Sequence, residues 1–301
     1  MGKLADDIDV FTQSKAAKRL SLELQFLVID SANDIEGPDR KDKKLLMTCA
    51  LVSQAWYRHS MRHLWRSIEL SYEPPPRGES IAKTTTRAIS LMALVTSNAR
   101  PAKSIQSFTL NLNVTYHKNA FDGNASLLAL STFLPQVPEF HLMMPDGNRQ
   151  DGEIAVRTFK DPEQNLSKII DKFLGASILT TLHLSGSNIL LDLLQQTPNL
   201  RHARFGVIDA ISPPTVWRAF SFRLQSVEFI GADPILSTLL EKAPDVFTEL
   251  EEVVLCGDDD EYAARILVIP QGTLRRASVD VVRCADGRCT FFLIIVLSIS
   301  Y

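Results

Sequence analysis

His59 and His63 lie four residues apart in the segment HSMRH, a spacing that sets two imidazoles on one face of a helix. Two such rings are the start of a zinc site, which needs a further ligand and, for hydrolysis, a glutamate base. HSMRH supplies neither, so it predicts solvated or partner-facing histidines and no metal. The acidic run Asp258, Asp259, Asp260 and Glu261 lacks the alternating ligands and glycine of a calcium loop; favourable charge at a helix start accounts for it. Arg40, Lys41, Lys43 and Lys44 read as a solvated loop, with a nuclear address as the alternative. Cys49, Cys256, Cys284 and Cys289 are too scattered for paired zinc knuckles or a disulfide framework, which predicts reduced thiols. One pairing is geometrically open: Asp286-Gly287 forms a two-residue hairpin turn that sets Cys284 opposite Cys289.

No P-loop, GxGxxG, HExxH or GxSxG occurs, so the phosphate cradles, zinc pairs and nucleophile elbows that make enzymes legible are absent. The expectation is a protein with no catalytic residues and no cofactor, with an unrecognised α/β enzyme as the remote alternative. At 301 residues and 45% hydrophobic, the chain can hold one large domain and a small one. Its 32 Lys plus Arg against 35 Asp plus Glu leave a net charge of −3, which predicts no general attraction to nucleic acid or anionic membrane. MGKLADDIDVFTQSKAAKRL lacks the apolar core of a secretory signal, so cytoplasm or nucleus is the expected compartment.

The elements that must position any site fall into two groups. Residues 1 to 18 read as a flexible N-terminus and 19 to 70 as three short helices. Their apolar stripes are Leu20, Leu24, Leu27 and Val28; then Leu45, Cys49, Val52 and Trp56; then Tyr57, Met61, Leu64, Trp65 and Ile68. A polar insert over 31 to 44 separates the first two. So small a unit cannot bury faces this apolar, and a hydrophobic docking surface must remain. SYEPPPRGES, residues 71 to 80, is a Pro-rich linker.

From 81 to 301 one pattern returns seven times: apolar, two variable, apolar, one variable, apolar. It starts at Ile105, Val137, Leu179, Leu200, Leu224, Leu250 and Leu274, and the last five starts lie 21, 24, 26 and 24 residues apart, the period of leucine-rich repeats. Helix-like segments stand between them: NILLDLLQQ from Asn188, PTVWRAFSF from Pro214, PILSTLLEK from Pro234 and EYAARILVI from Glu261. Earlier helices are expected over 81 to 96, 126 to 134 and 165 to 174. The alternation of strand and helix predicts an irregular α/β solenoid; a doubly wound sheet is the alternative and would need no steady period. Side chains alternate along a strand, so the third and fifth positions of each pattern share an open face. That face is expected to carry His183, His202, Arg204, Glu228 and Glu252, a cationic or titratable zone running into an acidic one.

LSLEL, CALVSQAW and RHLWRSIEL, within residues 20 to 70, resemble an F-box, the segment by which substrate receptors join the Skp adaptor of a cullin ubiquitin ligase. With the repeats, the chain resembles F-box proteins with leucine-rich repeats, of the divergent kind common in fungi. Carried over by position, the resemblance implies an adaptor surface of Leu20, Leu24, Ile29, Leu51, Val52 and Trp56. Ser21 stands where the family usually has proline. The implied function is a non-enzymatic substrate receptor whose partners are a Skp-family adaptor and an unidentified target protein, with no nucleic acid and no membrane. The competing reading is a plain interaction scaffold whose helical head packs on its own repeats.

Overall fold

The computed structural model describes residues 22–36, 44–71, 90–93, 96, 104–111, 132, 134, 137–143, 164–186, 188–208, 210–212, 218–257, 260–270, 272–285, 288–292 and 297–298. The chain divides into two compact units, Met1–Ser67 and Ile68–Tyr301. The division precedes the Pro-rich stretch because β1 (Ser67–Ser71) already belongs to the sheet of the second unit.

The first unit holds α1 (Leu22–Glu36), α2 (Lys44–Ala50) and α3 (Gln54–Leu64). Ser31 to Glu36, expected in the polar insert, instead continues α1. The stripe from Leu45 to Trp56 is divided between two helices. Ser53 caps α3, its Oγ accepting the Trp56 backbone N–H at 3.3 Å, so α2 and α3 turn different faces to the core. Cys49 is consequently buried and Trp56 half-buried, whereas Leu45 and Val52 are exposed. Among the described residues the core of the unit is Ile29, Leu46 and Cys49, with Phe26, Trp56 and Leu64 packed against them.

In the second unit all seven apolar patterns become strands of one open sheet. These are β2 (Ser107–Asn111), β3 (Glu139–Met143), β4 (Thr181–Ser185), β6 (His202–Gly206), β8 (Ser226–Ile230), β9 (Glu252–Gly257) and β10 (Arg276–Ala285). Each is parallel to the next, and β1 lies beside β2. Ser107, Glu139, Thr181, His202, Ser226, Glu252 and Arg276 stand side by side across the ladder, so the sequence pattern and the register coincide. A repeated hydrogen bond sets that register. The carbonyls of Pro138, Thr180, Arg201, Gln225 and Glu251 each accept two successive backbone N–H groups from the start of the following strand.

Apolar side chains from alternate strand positions are buried on one face, among them Phe108, Phe140, Leu182, Val227 and Val253. Phe173 of α4 (Gln164–Leu174) stacks on both Phe108 and Phe140, at centroid distances of 4.9 and 4.8 Å. Further along lie β5 (Asn188–Leu190), α5 (Asp192–Gln195), β7 (Ala210–Ser212), α6 (Asp233–Lys242), a 3-10 turn at Pro244–Phe247 and α7 (Asp260–Val268). The expected helices from Pro234, Glu261 and Asn165 are present. NILLDLLQQ is not one helix, however: its first residues form β5, which pairs in parallel with β7 as a second small sheet. Arg218 to Phe220, in the segment expected to be helical from Pro214, is irregular. The other expected helices fall almost wholly outside the described residues. At the end of the chain, β11 (Arg288–Phe292) pairs antiparallel with β10 and places Cys284 opposite Cys289, as the hairpin turn predicts; β12 (Leu297–Ser298) pairs with the start of β10.

Candidate functional site

On α1 the apolar residues occupy two faces. Phe26 and Ile29 turn inward, while Leu24, Leu27 and Val28, spaced for one helix face, turn to solvent. Leu45 and Met47 on α2, Leu51 and Val52 in the α2–α3 turn, and Tyr57 on α3 are exposed as well, Leu51 at 86%. Among the described residues the first unit thus exposes eight large apolar side chains, against Ile178, Val207 and Val268 in the much longer second unit. Of the expected adaptor-facing residues, Leu24, Leu51 and Val52 are at this surface. Ile29 is not: it is 0% exposed, because it holds the helices together. Trp56 is half-buried, its Nε1 donating to Gln25 Oε1 at 2.7 Å. Leu20 lies outside the described residues.

Within the same unit His59 and His63 converge, through their Nε2 atoms, on one oxygen of Asp30, at 2.7 and 2.8 Å from Oδ1. They are not solvated as expected; each side chain is 17% exposed. Phe26 stacks flat on His59 with centroids 4.2 Å apart, and the two imidazoles meet edge to face. The hydrogen bond from His59, opposed by partial burial and reinforced by His63, lowers the pKa of Asp30. Sequence spacing could not reveal this carboxylate, which lies 29 residues before His59 on another helix.

The open face of the sheet gathers the five residues expected there. His183, Arg204 and Glu228 occupy one register row on adjacent strands, and His202 and Glu252 a second. His141 and Glu139 belong to the same rows and went unnamed, although the third and fifth positions of VPEFHL mark them. His141 Nε2 lies 2.6 Å from Glu139 Oε1, and its ring meets that of His183 edge to face. Burial, with lesser contributions from His141 and Arg204, pushes His183 down to about 4, against the pull of Glu139. Arg204 pairs with Glu228 at 3.2 Å and Arg276 with Glu252 at 3.4 Å; His202 Nδ1 lies 2.8 Å from Ser226 Oγ. The face is therefore a set of cross-strand pairs beside a neutral histidine, rather than a cationic zone grading into an acidic one.

No described helix is long and apolar enough to cross a membrane. No family model matches the chain, and neither a curated protein nor a solved structure is detectably similar to it.

Proposed function

We propose that this chain is a non-catalytic receptor that links a target protein to a Skp/cullin ubiquitin ligase. One observation carries the reading: a small helical unit bears an exposed apolar surface of Leu24, Leu27, Val28, Leu51 and Val52, coincident in part with the F-box-like positions. Apolar area gains roughly 25 cal/mol per Å² when removed from water, so a partner that covers this surface is strongly favoured. Sheet order that follows chain order, a repeated two-donor hydrogen bond and a single buried face support an irregular leucine-rich-repeat solenoid for the second unit. A doubly wound sheet would reverse its strand order at a switch point. The open polar face suits a protein target. Function then follows from proximity, since holding the target near a charged ubiquitin carrier raises its effective concentration while other subunits perform the transfer.

The test is binding of the full chain to a purified Skp-family adaptor. Leu51→Asp with Val52→Asp leaves helicity by circular dichroism unchanged, because both sites are exposed. Removing interface anchors typically costs at least about 2 kcal/mol, so a loss of about thirtyfold or more in affinity is expected. A folded wild-type chain that fails to bind the adaptor at micromolar concentration rejects the receptor reading in favour of a scaffold without a ligase role.

A further inference from the structure

We infer that Asp30, His59 and His63 form a site for one zinc-class divalent cation that clips α1 to α3. The three donor atoms, a carboxylate oxygen and two imidazole Nε2 atoms, all lie within 4.8 Å of one another. Two come from successive turns of α3 and the third from α1, so a shared ion ties together helices that are separate in sequence.

The donor set selects the ion. Two neutral imidazoles and one carboxylate suit zinc and its transition-metal neighbours, whereas magnesium and calcium take oxygen shells. Zinc bonds of about 2.0 to 2.2 Å in a tetrahedron place neighbouring donors about 3.3 Å apart. Asp30 Oδ1 lies 2.7 and 2.8 Å from the two nitrogens, so each ring retreats from it by about half an ångström, while the two nitrogens, within 4.8 Å of each other, come to a similar spacing. On binding, each ring offers the Nε2 lone pair and carries its proton on Nδ1, and the ion replaces the ring-to-carboxylate hydrogen bonds. Stacking on Phe26 holds the His59 ring in place beforehand. Asp30 is the most exposed of the three, which leaves a side of the cluster open to water as a fourth ligand.

The location explains the use. Among the described residues the buried apolar core of this unit is Ile29, Leu46 and Cys49, and small cores commonly gain from a metal or another staple. A cation here fixes the helix pair whose outer face carries Leu24 and Tyr57, irrespective of what docks there.

The experiment titrates Zn²⁺ into the chelator-stripped full chain by calorimetry, alongside amide hydrogen exchange. The expected result is one equivalent bound, slower exchange in α1 and α3, and no comparable effect from Mg²⁺. His63→Gln and Asp30→Asn each weaken that binding by tenfold or more, the least to be expected when a ligand is removed. Asp30→Asn keeps the side-chain shape, so it decides the matter if His63→Gln loses helicity. Equal zinc binding by wild type and Asp30→Asn, or a folded wild type that takes up no zinc at micromolar concentration, overturns the proposal. Adaptor binding is a separate readout, and its failure leaves the metal site standing.

Discussion

Burial gives His183 a different role from the other histidines named here. In an unfolded chain its imidazole titrates near 6.5, whereas in the sheet the proton is refused until about 4. Between these values the unfolded chain binds a proton that the folded chain does not, so stability falls as pH drops from 7 towards 4 and levels off below. Solvent reaches part of the ring, which reduces the full shift to a contribution of about 1 kcal/mol. Urea unfolding at pH 7 and pH 4.5 should show this loss in the wild type and a smaller one in His183→Asn. Equal losses would show that the acid sensitivity does not come from His183. At neutral pH His183 presents an uncharged ring to the open face, beside the paired charges of Arg204 and Glu228.

At the scale of the element, two strand ends share a left-handed residue. Val207 after β6 and Gly231 after β8 have φ of 43° and 55°. Glycine enters that region freely, but at Val207 a β-branched side chain stands at φ 43°. Its backbone N–H still reaches the Ile230 carbonyl at 2.6 Å, so the strand-end geometry is enforced by the sheet. Val207 is 46% exposed, so Val207→Gly loses only part of a valine's packing. Relief of about 1–2 kcal/mol of left-handed strain should exceed the entropic cost of glycine by roughly 0.5–1 kcal/mol. A thermal melt should therefore rise; a lower midpoint would show that the side chain contributes more than its backbone costs. The same regularity explains what could be read in advance. Apolar residues at fixed offsets specify which side chains a strand buries, and in-register neighbours follow, so the seven strands and the open face were visible in sequence. The stripe from Leu45 to Trp56 misled because Ser53 breaks the helix without disturbing the spacing of apolar residues. Strands β5 and β7 are three residues each, too short to show a period, and Asp30 meets His59 and His63 only through tertiary packing.

For the whole molecule, the question is whether the second unit unfolds as an array or as one globule. Each main strand pairs with the strand that precedes it in this order and the one that follows, and the outer elements also pack near to near: α4 on α5, α6 on β7 and α7. Four strand steps separate β3 from β9, about 19 Å, beyond the distance over which core substitutions usually couple. Phe140 is fully buried beside Phe108 and Phe173, and Phe140→Ala should cost about 3–5 kcal/mol. In a solenoid whose stability is a sum over neighbours, that loss is local. Amide hydrogen exchange should then show reduced protection in β2, β3 and β4, with β9 and β10 holding theirs. In a doubly wound globule that unfolds all at once, protection would fall by the same amount in every strand, and that result would remove the repeat reading of the second unit while leaving the proposal for the exposed apolar residues of the first untouched.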